Sequence, residues 1–369
     1  MLRRWMAVWM VSAAGAALLL AGCTETASDE DADTTAPAET AAPSDEATAS
    51  ADDDAGGPDA PVGQYKIGMS QCNLGEPWRV QMNEDIRATA AEYAELNIIF
   101  KDAQNDTLRQ RAHIEEFVSD GVDLLIVSPL EAAPLTEPIA KAYQAGIPVI
   151  VLDRDVLGDQ YTVFIGADNK LIGEAAGRWA AQALEGKGDI VELKGLMTTV
   201  PGHDRSNGFH KGIEGTEINV IFEADMKWLE PNARKEMESA LARFPKIDLV
   251  YAHNDPAAHG AYLAAAAAGR EDEMIFIGID GLPQEGRAYV EQGILDVTFE
   301  YPTGGMEAVE TARAIFRGED VPKRITLRSR FFTPENIASG GEWIDRAFEL
   351  TGLGAADETA DVGESAPAP

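Results

Sequence analysis

The amino-acid sequence predicts an α/β protein made of two lobes, each built around a doubly wound parallel sheet. Apolar runs rich in β-branched residues alternate with segments whose apolar residues recur every three or four positions, the patterns of buried strands and amphipathic helices. Strand–helix–strand connections are right-handed crossovers that make neighbouring strands parallel. The pattern contains about ten strands, more than a simple doubly wound sheet usually holds, so two sheets fit the chain better.

The stretch Ile147–Asp155, IPVIVLDRD, is the clearest strand, and much of the prediction depends on it. Its aliphatic half has no polar residue, as expected of a strand that is buried on both faces. Its other half places Asp153, Arg154 and Asp155 just beyond that strand. Ligands of open parallel sheets bind beyond the carboxyl ends of the strands, so these charges are candidates for a site. A solvated surface turn, or a purely structural pairing of Arg154 with an aspartate, is the alternative.

The other elements follow in order along the chain. Pro77 opens the first helix, because proline is favoured in the first turn, and Asp168-Asn169 caps a helix that ends near Leu184. Pro256 opens the alanine-rich helix Ala257–Ala268. The remaining predicted helices are Leu108–Ser119, Ala133–Ala145 and Met306–Phe316. The other predicted strands are Tyr65–Cys72, Asn97–Lys101, Asp123–Pro129, Tyr161–Ala167, Asp189–Lys194, Asn219–Ala224, Asp248–His253, Met274–Ile279, Ile294–Tyr301 and a piece around Phe331-Phe332.

The N-terminal segment has the three parts of a secretory signal. The basic pair Arg3-Arg4 precedes an apolar run from Trp5 to Leu20, and small residues lead to Cys23. The apolar run is short for a membrane span. Leu20-Ala21-Gly22-Cys23 resembles the bacterial lipobox, which implies that residues 1–23 are a lipoprotein signal peptide and that Cys23 is lipidated. An ordinary signal peptide with a chance cysteine is the alternative.

Two further segments cannot build a core. Residues 24–61 contain twelve acidic residues and no basic ones, with almost no large apolar side chain, which predicts a disordered, self-repelling tether. Residues 355–369 form an acidic, alanine-rich tail that is also predicted to be disordered. A lipid on Cys23 followed by this tether predicts an extracytoplasmic domain that is anchored at the membrane and free to move.

The composition excludes several classes of function. The formal net charge is −33 at pH 7, and such a surface repels nucleic-acid phosphates. The five histidines show no zinc-binding spacing, and GIDGLPQEGR lacks the features of a phosphate-binding loop, so neither a metal nor a cofactor is expected.

Cys72 is the only cysteine beyond Cys23, so no internal disulfide is expected. A buried, inert thiol is favoured for Cys72 over a role in a pocket.

Polar residues recur just beyond the predicted strands. Asp153-Arg154 follows VIVL, Asn254-Asp255 follows LVYAH, and Asp280 follows IFIGI. Carboxylates and amides bond hydroxyl groups, and arginines offer planar forks of donors. Trp78 adds a flat apolar face, although it is also a candidate core residue of its helix. The set therefore favours a polyol or a sugar as ligand.

Eight stretches of the chain resemble the periplasmic sugar-binding proteins of ABC importers, which have the type I periplasmic-binding-protein fold. They are IGMSQ…PWR, GVDLLIVSP, IPVIVLDRD, ADN, HDRSNGF, VYAHND, IGIDG and FEYP, and they span nearly all of Tyr65–Pro334 in the family's order. Within that family the chain is most similar to the galactofuranose- and ribose-binding branch. Each stretch alone is a weak signal, and the ordered set is specific.

The resemblance implies two lobes that are joined by a three-crossing hinge and close over a monosaccharide or related polyol. It also implies a monomer that delivers this ligand to an ABC permease. Lobe 1 is expected to comprise residues 62–167 with 301–328, and lobe 2 residues 168–300 with 329–354. The residues that match the family's ligand contacts are Trp78, Arg79, Asp153, Arg154, Asn169, Arg205, Asn254, Asp280 and Glu300.

Some features leave the ligand and the partner open. Glu300 stands where ribose-binding members have glutamine. The family often has an aromatic in the stretch around Asp225–Trp228, which is longer here, and either Met226 or Trp228 fills that place. A sensor that signals to a membrane receptor is compatible with the same closure. A glycoside hydrolase also uses carboxylates around a sugar, but the arginines are expected to keep these carboxylates ionised, which disfavours a general acid.

Overall fold

The structure, a computed structural model, describes residues 65–348. The predicted signal peptide, the lipidated Cys23, the tether and the C-terminal tail lie outside these residues. Within residues 65–348, every helix falls short of the length or the hydropathy that a membrane crossing requires.

Strands and helices alternate along the described chain, as the sequence predicts. The first series is β1 (Tyr65–Gln71), α1 (Pro77–Ala91), β2 (Leu96–Asp102), α2 (Thr107–Ser119), β3 (Leu124–Ser128), α3 (Ala132–Gln144), β4 (Val149–Leu152), β5 (Val163–Ala167) and α4 (Asn169–Ala183). The second series is β6 (Lys187–Lys194), α5 (Val200–Gly212), β7 (Glu217–Asp225), α6 (Glu230–Arg243), β8 (Leu249–Ala252), α7 (Asp255–Ala267), β9 (Ile275–Asp280), a π-helix (Pro283–Arg287), α8 (Ala288–Glu291), β10 (Val297–Glu300), α9 (Gly305–Phe316), β11 (Arg324–Leu327), β12 (Arg330–Phe332), β13 (Glu342–Trp343) and α10 (Ile344–Ala347).

The strands form two sheets with the same internal order. The first sheet is β11-β5-β4-β3-β1-β2, and all of its strands are parallel. The second sheet is β13-β12-β10-β9-β8-β6-β7, in which only β12 and β13 run antiparallel to their neighbours. In each sheet the first strand of the series lies between the second and the third, which is a doubly wound order. The predicted α/β fold with two parallel sheets is confirmed.

Helices cover both faces of each sheet, and this explains the uninterrupted aliphatic runs. Every residue of β3, β4, β5 and β8 is buried. On the first sheet, α2 and α3 pack on one face and α1 and α9 on the other; on the second, α4 and α5 oppose α6 and α7. A strand between two helical layers has no face for polar side chains, so its polar residues collect at its ends.

The structure differs from the prediction mainly at strand ends. The predicted strand Ile147–Asp155 is extended only over Val149–Leu152, because Asp153 turns the backbone at φ 71°. The short strands β11 and β13 were not predicted, since neither contains an aliphatic run. Asp168 does cap α4, accepting a hydrogen bond from the backbone N–H of Leu171 at 2.9 Å.

Candidate ligand-binding site

One cavity collects residues that follow strands of both sheets. Its volume is about 290 Å³, measured with its solvent-filled mouth. Its lining residues are Glu76, Trp78, Arg79, Asp153, Arg154, Pro201, Arg205, Trp228, Asn254, Asp280 and Tyr301. The structure thus brings together seven of the nine predicted ligand contacts, whereas Asn169 and Glu300 lie outside the lining.

Arg79 and Asp153 form a buried ion pair next to the first sheet. Arg79 lies in the first turn of α1, and its Nη2 donates to Asp153 Oδ2 at 3.0 Å. The hydroxyl of Tyr301 donates to the other oxygen of Asp153 at 2.6 Å. Burial favours the neutral carboxyl, but Arg79, Arg154 and the Tyr301 hydroxyl outweigh it, so the pKa of Asp153 is below its ordinary value. The expectation that arginines keep the carboxylates ionised is therefore correct for Asp153.

Arg154 is buried in the same part of the cavity, with few strong partners. Its Nη1 donates to a backbone carbonyl at 3.1 Å and lies 4.0 Å from the Cys72 sulfur. Its Nε is 3.8 Å from Asp153 Oδ2, too far for a hydrogen bond. Asp155 pairs instead with Arg324. Burial raises the pKa of the Cys72 thiol, as expected of an inert side chain.

Arg205 occupies the corresponding position next to the second sheet. Its Nε donates to Asn169 Oδ1 at 2.8 Å, and its Nη1 donates to the carbonyl of His253. Nη1 also lies 3.6 Å from Asp280 Oδ1, and the guanidinium carbon lies 4.5 Å from the centre of the Tyr301 ring. These contacts fix the plane of the guanidinium before any ligand arrives.

The two predicted asparagines have structural partners. Asn254 is the N-cap of α7: its Oδ1 accepts from the Ala257 N–H at 3.1 Å, and its Nδ2 donates to the Trp228 carbonyl at 3.1 Å. Asn169 is the first residue of α4, and its Nδ2 donates to the Tyr301 hydroxyl at 3.2 Å. Because Asn169 also bonds the Arg205 guanidinium, it supports two lining side chains from outside the cavity.

Glu300 is paired with Arg287, whose Nη2 donates to Glu300 Oε1 at 2.7 Å. The next residue, Tyr301, lines the cavity and was not predicted as a site residue. Successive side chains of a strand point to opposite faces, so two neighbours at the end of β10 do not both face the cavity. The sequence feature that could have identified Tyr301 as a lining residue is its position in FEYP, directly after β10. Glu76 and Pro201 were also missed.

Asp280 ends β9 in a strained conformation, with φ 130°. Burial raises the pKa of its carboxyl well above the ordinary value, and the attraction of Arg205 offsets this only in part. The buried carboxyl of Asp255 raises the pKa of Asp280 further. The expectation that arginines keep every carboxylate of the site ionised is wrong for Asp280, because desolvation exceeds the attraction of a guanidinium 3.6 Å away.

Two tryptophans line the cavity. Trp78 Nε1 donates to the Tyr301 carbonyl at 2.7 Å, and the rings of Trp78 and Tyr301 stack with centres 4.9 Å apart. Trp78 also packs in the hydrophobic core, so it is both a lining residue and the core residue that the sequence offered as the alternative. Trp228 lines the cavity, whereas Met226 is fully buried beneath it. The choice between Met226 and Trp228 is therefore settled in favour of Trp228.

Several buried donors of the lining make no hydrogen bond, although Arg79 Nε lies 3.7 Å from Glu76 Oε2 and Arg154 Nε lies 3.8 Å from Asp153 Oδ2. Among the described residues, the buried atoms without a hydrogen bond include Arg79 Nε, Arg154 Nε and Trp228 Nε1. A buried donor left unpaired costs about 1–3 kcal/mol, so native proteins rarely keep one without a reason. A ligand with several oxygen acceptors satisfies donors of this kind.

The side chains of Glu192, His210 and Glu223 have ligand atoms that all lie within 4.8 Å of one another. This is a donor set with metal-binding chemistry, and the sequence spacing did not predict it. The ammonium of Lys194 lies 2.9 Å from Glu223 Oε1 and 3.8 Å from Glu192 Oε2. The carboxylates thus already have a cation beside them, and the cluster is an ion-pair network.

Known proteins resemble this chain over most of its length. A family described as periplasmic binding protein domain matches residues 67–320. The ribose import binding protein of Escherichia coli is 28% identical over 257 residues, which is 69% of this chain and 86% of that protein. The fructose-binding periplasmic domain of a hybrid two-component system is 43% identical with a TM-score of 0.72, covering 74% of this chain and 92% of that domain. A solute-binding protein of an ABC transporter from Bacillus halodurans, solved with myo-inositol, is 32% identical with a TM-score of 0.71, covering 76% of this chain and 98% of that protein.

These relatives are named as binding proteins, and the TM-scores of the two solved structures show that they share the fold described above. The resemblance drawn from the eight sequence stretches is confirmed, because the family match extends over more than half of the chain. The chain therefore belongs to the periplasmic binding protein family.

Proposed function

We propose that this protein is an extracytoplasmic binding protein that captures a monosaccharide or a related polyol. The supporting observation is the cavity, where unpaired donors of Arg79, Arg154 and Trp228 lie beside the carboxyls of Asp153 and Asp280. A hydroxyl group both donates and accepts, so a neutral ligand with several hydroxyls suits both kinds of group. The indole faces suit the apolar faces of a sugar ring.

The proposed mechanism is closure of two lobes about a hinge, with lobe 1 as residues 62–167 and 301–328, and lobe 2 as residues 168–300 and 329–354. A ligand bonded by both lobes binds the closed state more tightly and shifts the population towards it. The proposed contacts are Trp78, Arg79, Asp153 and Arg154 from lobe 1 and Arg205, Trp228, Asn254 and Asp280 from lobe 2. Asn169 and Glu300 support these side chains from outside the cavity.

The relatives indicate which sugars to test first. D-Fructose leads, because the fructose-binding domain is 43% identical to this chain. D-Ribose and myo-inositol follow, as ligands named for other relatives. A ligand that binds only the native state raises its stability, by about 2.7 kcal/mol when present at one hundred times its Kd. We expect at least one of the three to raise the Tm and to give a saturable calorimetric titration; indifference to these and to a wider sugar panel contradicts the proposal.

Substitution of Arg154 by alanine tests whether this cavity is the binding site. Truncating one charged partner of a buried hydrogen bond typically costs about 2–5 kcal/mol, so we expect Arg154→Ala to abolish useful sugar binding. The fold should survive, because the guanidinium makes few strong bonds within the protein. Arg324→Ala, which removes an exposed partner of Asp155, is the control and should bind normally. Calorimetry showing unchanged affinity in Arg154→Ala would exclude this residue from the site.

We further propose that Cys23 carries a lipid anchor and that the closed form delivers its ligand to an ABC permease. The lipobox-like stretch before the acidic tether supports the anchor. Labelled fatty acid should be incorporated by the wild type and not by Cys23→Ser.

A membrane sensor is the second candidate partner, because the fructose-binding domain belongs to a hybrid two-component system. Pull-down with the sugar-loaded protein distinguishes the two candidate partners. Recovery of a permease supports delivery to a transporter, and recovery of a receptor kinase supports the sensor.

We also propose that the protein is not an enzyme. The pKa of Asp153 is lowered and that of Asp280 is raised, and glycosidases also place two carboxyls with opposite pKa shifts beside the sugar. The relatives, however, are binding proteins. Incubation with oligosaccharides and aryl glycosides should release no free monosaccharide; such release would favour the hydrolase.

A further inference from the structure

Asp255 is a fully buried carboxyl that lies outside the cavity lining, directly behind the site. It is the first residue of α7. Its Oδ2 accepts from the backbone N–H of Gly281 at 2.7 Å, and its Oδ1 accepts from the hydroxyl of Thr298 at 2.6 Å. One carboxyl thus ties α7 to β10 and to the turn that follows β9.

The chain leaves room for this carboxyl by placing glycines around it. A Cβ on Gly278 would lie 2.1 Å from Asp255 Oδ1, and a Cβ on Gly286 would lie 1.9 Å from Oδ2. Any larger residue at either position would displace the carboxyl. The backbone of β9 and that of the π-helix therefore enclose Asp255 on two sides.

The turn bonded to Asp255 is the one that presents Asp280. Asp280 has φ 130° and Gly281 has φ 65°, and a non-glycine residue keeps such a φ only when its surroundings enforce it. Three bonds do so here: Asp255 accepts from the Gly281 N–H, Arg287 Nε donates to the Gly281 carbonyl at 2.7 Å, and the Tyr301 N–H donates to the Asp280 carbonyl at 3.0 Å.

Glu300 completes this support. Its carboxylate accepts from Arg287 Nη2 at 2.7 Å, while Arg287 Nε bonds the turn. Gly281 also packs against the backbone of Glu300, since a Cβ on Gly281 would lie 2.9 Å from the Glu300 Cα. Glu300 therefore acts on the same turn as Asp255, through Arg287.

We propose that Asp255 is a positioning residue of the ligand site, which fixes the strained Asp280–Gly281 turn so that the Asp280 carboxyl faces the cavity. The inference rests on the proposed sugar-binding function and adds a residue that touches no ligand. Asp255 acts in two ways: it anchors the turn through hydrogen bonds, and its charge influences the ionisation of Asp280.

The electrostatic part follows from the charges around the two carboxyls. Burial raises the pKa of Asp255 to about 6, opposed by its hydrogen bonds to Thr298 and Gly281 and by the charges of Arg205 and Arg287. Asp280 is attracted by Arg205 and repelled by Asp255, Glu285 and Glu76. Removing the charge of Asp255 therefore lowers the pKa of Asp280.

Asp255→Asn separates the charge from the hydrogen bonds. The amide oxygen still accepts from the Gly281 N–H, and the amide NH₂ donates to the Thr298 hydroxyl, which rotates to accept it. We expect Asp255→Asn to bind D-fructose within about threefold of the wild type near pH 7. Because ionised Asp280 accepts from ligand hydroxyls, affinity falls as pH falls through its pKa, and this midpoint should move to lower pH in Asp255→Asn.

Asp255→Ala removes both hydrogen bonds and leaves the Gly281 N–H buried and unpaired. We expect binding at least roughly tenfold weaker than in the wild type, because the turn is no longer fixed. Glu174→Gln is the matched control: Glu174 is a buried carboxylate of α4 whose partners are Arg178 and Lys211. Its substitution should leave both the affinity and the pH midpoint unchanged.

The experiment is calorimetric titration with D-fructose, or with D-ribose or myo-inositol where the wild type prefers one of them, from acid to alkaline pH. Tm measurements show which variants are folded. If the wild type binds no sugar, the proposed function fails. If the wild type binds and Asp255→Asn keeps the wild-type pH midpoint, the positioning proposal fails alone, whether or not Asp255→Ala folds. Equal affinity of a folded Asp255→Ala overturns it as well.

Discussion

Asp153 and Asp280 show how position decides the state of a residue. Asp153 follows β4 and Asp280 ends β9; both are buried and both have positive φ, 71° and 130°. Asp153 accepts from Arg79 and Tyr301 at 3.0 and 2.6 Å, whereas Arg205 comes only within 3.6 Å of Asp280. The pKa of Asp153 is therefore lowered and that of Asp280 raised, although the fold brings an arginine near each.

Asp280→Asn should consequently stabilise the ligand-free protein while removing sugar binding. The folded pKa of Asp280 lies above its unfolded value, so ionising this carboxyl destabilises the fold increasingly as pH rises through that interval. We expect a higher Tm than the wild type near pH 8, a smaller difference near pH 4, and an affinity loss of about 2–5 kcal/mol. Scanning calorimetry at both pH values and titration with the preferred sugar measure these effects.

Asp153→Asn is the matched control and should behave in the opposite way. The folded pKa of Asp153 is lowered, so its ionised form contributes stability at neutral pH that is lost as pH falls. The variant should therefore have a lower Tm than the wild type near pH 8. A lower Tm near pH 8 in Asp280→Asn as well would contradict the argument.

The geometry of strand ends explains which site residues could be predicted from the sequence. Asp153, Arg154 and Asp280 come directly after aliphatic runs, so the rule that ligands bind at carboxyl ends was sufficient. Glu300 and Tyr301 are adjacent, and the one that lines the cavity depends on which face of β10 meets the cavity. The periodicity of a four-residue strand does not define that face. Trp228 belongs to a loop with two positive-φ residues, whose path depends on tertiary contacts.

At the level of elements, a polar network links β6, α5 and the residue after β8, and it supports the cavity. Glu192 lies within β6 and is fully buried; its two oxygens lie 3.0 Å from His253 Nε2 and 3.0 Å from His210 Nε2. The Gly195 N–H donates to His253 Nδ1 at 3.1 Å, which assigns the ring proton to Nε2, facing Glu192. The His253 carbonyl accepts from Arg205. The network thus connects a central strand to a lining arginine.

Glu192→Gln should destabilise the protein by roughly 2–4 kcal/mol near pH 7, because it weakens two hydrogen bonds to a buried charge. Burial alone would raise the pKa of Glu192, but His210, His253 and Lys194 hold it below the ordinary value. Its stabilising contribution is therefore present above the ordinary pKa of glutamate and is lost as pH falls below it. Urea unfolding near pH 7 and near pH 4 should show a smaller difference from the wild type in acid.

Glu223→Gln provides the comparison, because Glu223 shares Lys194 and His210 with Glu192 but its side chain is 45% exposed. Exposed ion pairs contribute about 0–1 kcal/mol, so little change is expected. Equal losses of unfolding free energy in Glu192→Gln and Glu223→Gln would show that burial does not determine what these carboxylates contribute to stability.

For the whole molecule, the fold was more predictable than the site. Two series of strands and helices in the same order produce two sheets with the same arrangement, β2-β1-β3-β4-β5 and β7-β6-β8-β9-β10. The central strands of both sheets contain aliphatic runs, because helices cover both of their faces, whereas β11 and β13 have no such run. Where the loops of the two sheets meet depends on contacts distant in sequence, such as the bond from Trp78 to Tyr301, and no local pattern encodes these.

The proposed delivery to a permease needs a docking surface, and exposed side chains beside the cavity lining are candidates for it. Several exposed apolar side chains directly flank residues of the cavity lining, and they occur beside both sheets. They are Leu74, Val80, Val200 and Leu229, which lie within two positions of Glu76, Arg79, Pro201 and Trp228 respectively. The proposed closure of the lobes would change the distance between the two groups, so a partner that contacts both would distinguish closed from open protein. Contiguous exposed apolar surface marks interaction sites, so these four side chains are the ones to test.

Val80→Glu and Val200→Glu test this face, one beside each sheet. Both side chains are nearly half exposed, at 42% and 46%, so the substitutions should leave the fold intact and the sugar affinity within about twofold. Uptake of labelled sugar by cells that depend on this protein should fall at least roughly tenfold, because a buried unpaired charge at the interface costs more than about 1.4 kcal/mol. Leu108→Glu, at a residue 78% exposed that flanks no lining residue, is the control and should transport normally. Normal uptake by the double variant Val80→Glu/Val200→Glu would place the permease contact elsewhere.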